Sequence, residues 1–168
     1  TINQLSMTKN QVGTGRTQSW PSGQTGGLVY FNGVSDEVRI YNRALTADEI
    51  KRLYKIGATT KIGVSRKDTL TDGLVGYWLF DGGDMAGVTA YDRSGQGNNG
   101  TLTNGPARTV GKIGQALEFD GVDDFVDIGN PSSLGLTGAM TVSAWVWVDG
   151  YAGGVNSRFI SKGGSSRG

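Results

Sequence analysis

Residues 36–50 read DEVRIYNRALTADEI and hold the clearest local signals in the chain. Apolar and polar positions alternate from residue 37 to residue 42, with Val38 and Ile40 on one face and Arg39 and Tyr41 on the other. This period of two predicts a β-strand with one covered face. A helical pattern follows at once, so the stretch predicts a strand that leads directly into a helix.

The helix signal rests on its first turn. Thr46 is a favourable N-cap, and Glu49 stands three residues later, which makes a capping box. Leu45 and Ile50 occupy the staple positions. Ile50, Leu53 and Tyr54 fall on one helical face, and Gly57 is placed to end the helix. We therefore predict one short helix from Ala47 to about Ile56, as the only helix of the chain.

Composition indicates an all-β protein. The chain has 168 residues, with 29 Gly but only 3 Pro, and Gly at this level between short apolar runs suits many tight turns. The net charge of +1 implies no nucleic-acid partner. The chain has neither Cys nor His, which excludes disulfides, thiol chemistry and His-based catalysis. No apolar run approaches the roughly 20 residues of a membrane span, so we expect no membrane insertion.

Further strands are predicted on both sides of a polar segment. They cover residues 11–14, 28–31, 74–80, 116–119, 125–128, 140–148 and 159–162, and Asn32-Gly33 predicts a turn after the second of them. In the strand at 140–148, Trp145 and Trp147 share one face and Val146 and Val148 the other. The predicted organisation is residues 1–57, a linker over 58–73, and residues 74–168.

Six motifs resemble the bacterial laminin-G-like, concanavalin A-like lectin/glucanase domain. Five match its N-terminal half in order: YWLFD at 77–81, DRSGQGNNG at 92–100, GQALEFDG at 114–121, DDFV at 123–126 and TVSAWV at 141–146. The sixth, at 36–50, resembles the end of the same domain, so the order is reversed and the middle strands of the family are not seen. The resemblance implies a jelly-roll sandwich. Residues 1–57 resemble the C-terminal part of one repeat and residues 74–168 the N-terminal part of the next.

The reversed order suggests three arrangements. The chain is a section of a tandem array, a circular permutant, or a protomer that completes its fold with a neighbour. Its start at Thr1 fits a processed or excerpted chain. We expect residues 1–57 and 74–168 to pack either with each other or against partner chains, because long unpaired strand edges are avoided.

Carboxylates supply one candidate site. Asp120, Asp123 and Asp124 lie within five residues around a Gly turn, and Asp36 precedes the closing strand. Calcium takes six to eight oxygen ligands on such loops, and the resemblance makes a structural calcium plausible at these four residues. The alternative is that these side chains cap turns through neighbouring amides.

Aromatic residues supply the other candidate site. Trp145 and Trp147 share a strand face at a spacing that suits stacking on sugar rings, and Trp20 lies in a Gly-rich loop. The alternative is that both faces of this strand are buried under a loop or helix. The three Glu residues, Glu37, Glu49 and Glu118, are far apart in sequence, so the paired carboxylates of a glycosidase are not predicted and we expect no enzyme activity.

The resemblance implies a non-catalytic, extracellular or cell-surface module for adhesion or glycan binding within a larger protein. Its partners are then a glycan or a surface protein, together with other copies or repeats of the chain. Two alternatives stay open. One is a subunit of an extracellular polymer whose half-domains complete neighbouring protomers, and the other is an accessory domain of a secreted glycoside hydrolase.

Overall fold

A computed structural model describes residues 9–16, 28–58, 69–150 and 158–163. Within these ranges the protein is mostly β, with antiparallel sheets, one α-helix and three short 3-10 turns. The fold class predicted from composition is therefore confirmed at the level of an all-β protein with one short helix. The 3-10 turns cover Thr69–Thr71, Gly82–Asp84 and Ser132–Leu134.

Two larger sheets form the body of the protein. The first has the order β13-β1-β11-β8-β7-β6, built from β1 (Lys9–Val12), β6 (Met85–Ala86), β7 (Thr89–Ala90), β8 (Gly100–Thr103), β11 (Phe125–Gly129) and β13 (Ile160–Gly163). The second has the order β12-β4-β10-β9, built from β4 (Asn32–Tyr41), β9 (Ala107–Val110), β10 (Gln115–Asp120) and β12 (Thr141–Gly150), and β5 (Leu74–Trp78) also pairs with β4. A small hairpin-like pair, β2 (Thr14–Arg16) and β3 (Leu28–Tyr30), stands beside them.

One hydrophobic core joins the two larger sheets. Its largest fully buried side chains include Trp78, Phe80 and Phe119, and it takes Val12 and Val126 from the first sheet. Burying each such side chain stabilises the fold by about 1.5–3 kcal/mol. The indole of Trp78 donates a hydrogen bond to the carbonyl oxygen of Asn98 at 2.9 Å, so this core tryptophan is also satisfied.

Strands from both sides of the polar segment interleave. Strand β4 lies between β12 and β10, and β1 lies between β13 and β11. Residues 1–57 and 74–168 thus contribute described strands to the same two sheets and to the same core. Of the polar segment between them, Leu70 is buried against Tyr41 and Leu53.

The one α-helix in the described part of the chain, α1 (Ala47–Ala58), begins where the capping box predicts. The amide of Thr46 donates to Glu49 Oε2 at 2.9 Å, and the amide of Glu49 donates to Thr46 Oγ1 at 3.3 Å. Arg43 donates to both oxygens of the same carboxylate, at 2.9 and 2.7 Å. These bonds, led by Arg43, lower the pKa of Glu49 to about 2.

Two local predictions need correction. Asn32-Gly33 is not a turn, because both residues belong to the first part of β4, and the chain enters that strand directly after Phe31. The strand at 37–42 has two covered faces rather than one. Val38 and Ile40 point into the core as predicted, but Arg39 and Tyr41 are also buried, Tyr41 beneath Leu53 of α1.

Candidate functional site

We use the term outer face for the side of the second sheet that points away from the core. A β-bulge shapes this face at Glu37. Arg39 pairs with Ser143 on β12 and Asp36 pairs with Trp145, so β4 advances by three residues while β12 advances by two. Glu37 takes a left-handed backbone conformation, with φ at 55°, which is uncommon outside Gly and typical of bulges.

The side chain of Asp36 is buried at the bulge. It is 2% exposed, and its Oδ2 accepts a hydrogen bond from the amide of Ile113 at 2.9 Å. Its Oδ1 is buried and finds no hydrogen-bond partner among the described residues. Desolvation raises the pKa of Asp36 to about 6, and the charge of Glu37 adds to the shift. The backbone amide of Ile113 opposes it, as do those of Lys112 and Glu37 to a smaller extent.

A tight turn brings the Ile113 amide to this carboxylate. The turn links β9 to β10 and is closed by a bond from the amide of Gly111 to the carbonyl oxygen of Gly114, at 3.0 Å. A Cβ at Gly111 would lie 2.7 Å from Asp36 Oδ2. Gly114 has φ at 67°, and a Cβ there would lie 2.1 Å from Asp81 Oδ1. Both positions therefore require Gly.

A groove of about 410 Å³ opens beside Asp36 on the outer face. Its lining includes Asp36, Lys112, Trp145 and Trp147. The groove combines two large aromatic surfaces, one cation and one buried carboxylate. This is the mixture of apolar wall and few polar groups that is typical of ligand sites.

The two tryptophans differ in exposure. Trp145 is half-buried, with Tyr54 of α1 stacked at 5.6 Å between ring centroids and the Lys112 ammonium 5.4 Å from its ring. Trp147 is 70% exposed, and its indole N–H donates to Asp149 Oδ1 at 2.8 Å. The helix therefore covers one of the two predicted aromatic residues in part and leaves the other open.

Glu37 takes part in a separate buried cluster. Its carboxylate binds Arg39 and accepts a hydrogen bond from the hydroxyl of Tyr77 at 2.8 Å. The guanidinium of Arg39 lies over the Tyr77 ring, 4.1 Å from its centroid. Burial, opposed by Arg39, raises the pKa of Tyr77. These mutual contacts hold Glu37 in place and account for its buried charge.

The predicted calcium residues divide into two groups. The carboxylates of Asp120, Asp123 and Asp124 lie within 4.8 Å of one another. Asp36 is apart from them, because β10 pairs Asp120 with Asn32 and Leu117 with Ser35. Asp36 is therefore about four residues, or roughly 13 Å, along the sheet from Asp120.

The three clustered carboxylates also cap their own turn. Asp120 Oδ1 accepts from the amide of Val122 at 2.8 Å, and Asp124 Oδ2 accepts from the amide of Asp120 at 3.1 Å. Burial raises the pKa of Asp124. The turn-capping alternative thus accounts for one oxygen each of Asp120 and Asp124, while the carboxylate of Asp123 is not used in these two bonds.

Sequence reasoning located part of this groove. It singled out Asp36, Trp145 and Trp147, but as members of two unrelated sites, and Trp20 lies outside the described residues. It missed Lys112 and the Ile113 amide. The Gly residues at 111 and 114 were the available signal, because two Gly three residues apart between strands allow a close backbone approach.

Comparisons with protein-family models, with curated proteins and with solved structures find no match to this chain. Among the described residues, no helix combines the length and the apolar character that a membrane span requires.

Proposed function

We propose that the protein is a non-catalytic extracellular module, within a concanavalin A-like jelly-roll sandwich, that binds a glycan in the groove beside Asp36. The observation that carries the proposal is one pairing of features. Trp147 exposes most of its ring in a groove that the buried carboxylate of Asp36 and the side chain of Lys112 also line.

The chemistry of the groove suits a pyranose. The apolar C–H face of a sugar ring packs on an exposed indole, whose orientation is already fixed by Asp149. A small opening of the groove wall at Asp36 would let a sugar hydroxyl donate to the buried Oδ1, since an ionised carboxylate only accepts. Lys112, which also lines the groove, offers a donor to a second hydroxyl.

The buried oxygen of Asp36 favours this class of ligand over a purely apolar one. A buried acceptor without a partner costs free energy, and a ligand hydroxyl would remove that cost. An apolar ligand would cover the acceptor and leave it unsatisfied. The Ile113 amide fixes the orientation of the carboxylate, because it donates to Oδ2 and leaves Oδ1 for the ligand.

Titration with a panel of neutral glucan and galactan oligosaccharides tests the proposal. We expect Trp147→Ala to weaken binding by about 30-fold, which corresponds to the roughly 2 kcal/mol of an aromatic hot spot. Tyr91→Ala is the matched control, because Tyr91 is an exposed aromatic residue that is not part of the groove lining. Binding by no member of the panel, or an equal loss in the Tyr91 variant, contradicts the proposal.

We also propose that calcium supports this module through Asp120, Asp123 and Asp124. Three carboxylates are fewer than the six to eight oxygens that calcium takes, so backbone carbonyls and water would complete the shell. Calcium there would offset the repulsion among the three carboxylates and fix the turn between β10 and β11. Asp36 is not included, because it lies apart from this cluster.

A further inference from the structure

Strand β12 has one free edge. It pairs with β4 along ten residues, Thr141–Gly150, and none of the other described strands pairs with its opposite side. A free edge presents unpaired amide and carbonyl groups that template the addition of another strand.

The other edges of the two larger sheets are short, charged or covered. The free side of β5 is covered by a loop, since the Tyr77 amide donates to Asp92 Oδ1 at 2.9 Å and the Tyr77 carbonyl oxygen accepts from the Arg93 amide at 2.7 Å. Strand β9 has four residues and includes Arg108, β13 has four residues and includes Lys162, and β6 has two residues. Short length and charged side chains are the usual protections of an edge. Strand β12 is longer, and its protection is confined to one end, where Asp149, its one ionisable residue, lies at a register shift between Val148 and Gly150.

A groove of about 390 Å³ follows this edge. Its lining includes Val142 and Ala144, which face the core, together with Ser143 and Trp145, which face outward. Residues of α1, among them Tyr54, form its wall on the outer face. Residues from both faces can line one groove only where the edge itself is open. Further along, Val146 and Val148 are 42% and 44% exposed, so the apolar surface continues to the end of the strand.

We propose that β12 pairs antiparallel with β12 of a second copy of this chain, across a two-fold axis that passes through Val146. The pairing would join the two second sheets into one continuous sheet. It goes beyond the binding of a glycan, and it needs no ligand.

The sequence of β12 is complementary to itself in this register. Val146 lies opposite the partner's Val146, and Ala144 lies opposite the partner's Val148, so apolar residues meet on the core-facing side. On the outer face, Trp145 lies opposite the partner's Trp147, and the two-fold axis makes this contact twice. Aromatic and β-branched cross-strand pairs of this kind stabilise sheets.

The charges are also compatible. Asp149 lies opposite the partner's Ser143, so no two carboxylates meet. A two-fold interface is closed, because each copy uses the same surface, and the product is therefore a dimer rather than a filament. Self-complementarity on both faces favours a second copy over an unrelated strand.

Light scattering on the full chain, without any glycan, tests the association. We expect a species at twice the 17.7 kDa of one chain. Val146→Lys should abolish it, since two Lys would meet at the axis. Val110→Lys is the matched control, because Val110 is an 85% exposed residue on β9, the opposite edge of the same sheet. We expect this variant to remain dimeric.

Cysteine crosslinking tests the register. The chain has no Cys of its own, and Val146→Cys would place its sulfur opposite itself, within the Cα separation that a disulfide allows. Val148→Cys is the control of equal exposure, since the two copies of residue 148 would be about 13 Å apart along the strand, too far to bridge. We expect oxidation to crosslink the first variant and not the second.

Several results would overturn the proposal. These are a monomer at every concentration, a dimer that survives Val146→Lys, and crosslinking that does not distinguish residue 146 from residue 148. A mass above two chains also contradicts it, because a two-fold pairing closes. Since no sugar is present in these measurements, a failure here is independent of the glycan titration.

Discussion

The two ends of the outer face of the second sheet are built from the same strands but differ in cover. At one end, Tyr41 is fully buried beneath Leu53 of α1 and beside Leu70. At the other end, Trp147 is 70% exposed. Strand alternation places an aromatic residue at both positions, so alternation alone does not decide whether such a residue becomes core or ligand surface. What decides it is which part of the sheet α1 covers, because α1 lies over Tyr41 and leaves Trp147 exposed.

The boundary between the two ends lies at Trp145. Its ring touches Tyr54 of α1 on the covered side and the Lys112 ammonium on the open side. The bulge at Glu37 lies opposite, where Asp36 faces the groove and Glu37 binds Arg39 and Tyr77. The covered end therefore contributes stability, and the open end is where we propose that a glycan binds.

The largest effect on the free energy of unfolding is expected when the packing of α1 over Tyr41 is weakened. Leu53→Ala should lower the free energy of unfolding by about 2–5 kcal/mol, because it leaves a cavity over Tyr41. Trp147→Ala, at the open end, should change the unfolding free energy of the monomer by no more than about 0.5 kcal/mol. Urea unfolding of both variants measures the contrast. Equal losses would show that the two ends are packed alike.

The second prediction concerns Asp36. Its folded pKa of about 6 exceeds the ordinary value of 3.8, so the folded protein holds this proton more tightly. The stability that protonated Asp36 contributes is complete below about pH 4 and is lost as the pH rises through 6. Each pKa unit corresponds to about 1.4 kcal/mol, and with solvent screening at the open groove we expect a loss of about 2 kcal/mol.

Asp36→Asn isolates this effect. The amide oxygen of Asn can still accept from Ile113, while neither Glu37 nor Lys112, the charged groups nearest to it, is altered. Unfolding free energies measured between pH 4 and pH 7 should fall less steeply in the variant. The same slope in both proteins would assign the pH dependence to another group.

The sequence predicted the covered end better than the open end. Thr46 and Glu49 lie three residues apart and depend on local bonds, so the capping box and the helix were confirmed. The groove depends on Asp36 meeting Ile113, which is 77 residues away in sequence. Nothing local in Asp36 signals that contact. The bulge was also hidden, because Glu37 is not a residue type that marks a left-handed position.

The third prediction tests calcium at the open end, where Asp120, Asn32 and Gly150 lie in one row of the sheet. At free calcium tenfold above its dissociation constant, binding should stabilise the fold by about 1.4 kcal/mol, and a chelator should lower the melting temperature accordingly. Asp123→Asn should remove this response and keep the turn bonds of Asp120 and Asp124. An unchanged melting temperature in excess chelator would mean that the three carboxylates only cap their turn.

The fourth prediction returns to the covered end. Thr46→Ala removes the acceptor for the Glu49 amide and should cost about 1 kcal/mol. Hydrogen exchange across Ala47–Ala58 should accelerate, because a helix of this length does not persist by propensity alone. Thr46→Ser keeps the hydroxyl and serves as the control. Unchanged exchange in the Ala variant would mean that packing of Leu53 alone holds the helix.

The smallest expected effect concerns catalysis in the groove, where we expect no release of reducing sugar from any glucan or galactan. Hydrolysis needs two carboxyl groups that flank the scissile bond, one of them protonated near neutral pH. Asp36 has the raised pKa, but Glu37 is held by Arg39 and Tyr77. Glu118 is exposed on β10, opposite Val34, and does not line the groove.

Incubation of the protein with each polysaccharide, in parallel with Glu118→Gln and Glu37→Gln, measures this. Sugar release that disappears in either variant would show that the open end is an active site. The covered end would then stabilise the fold, and the open end would carry out catalysis.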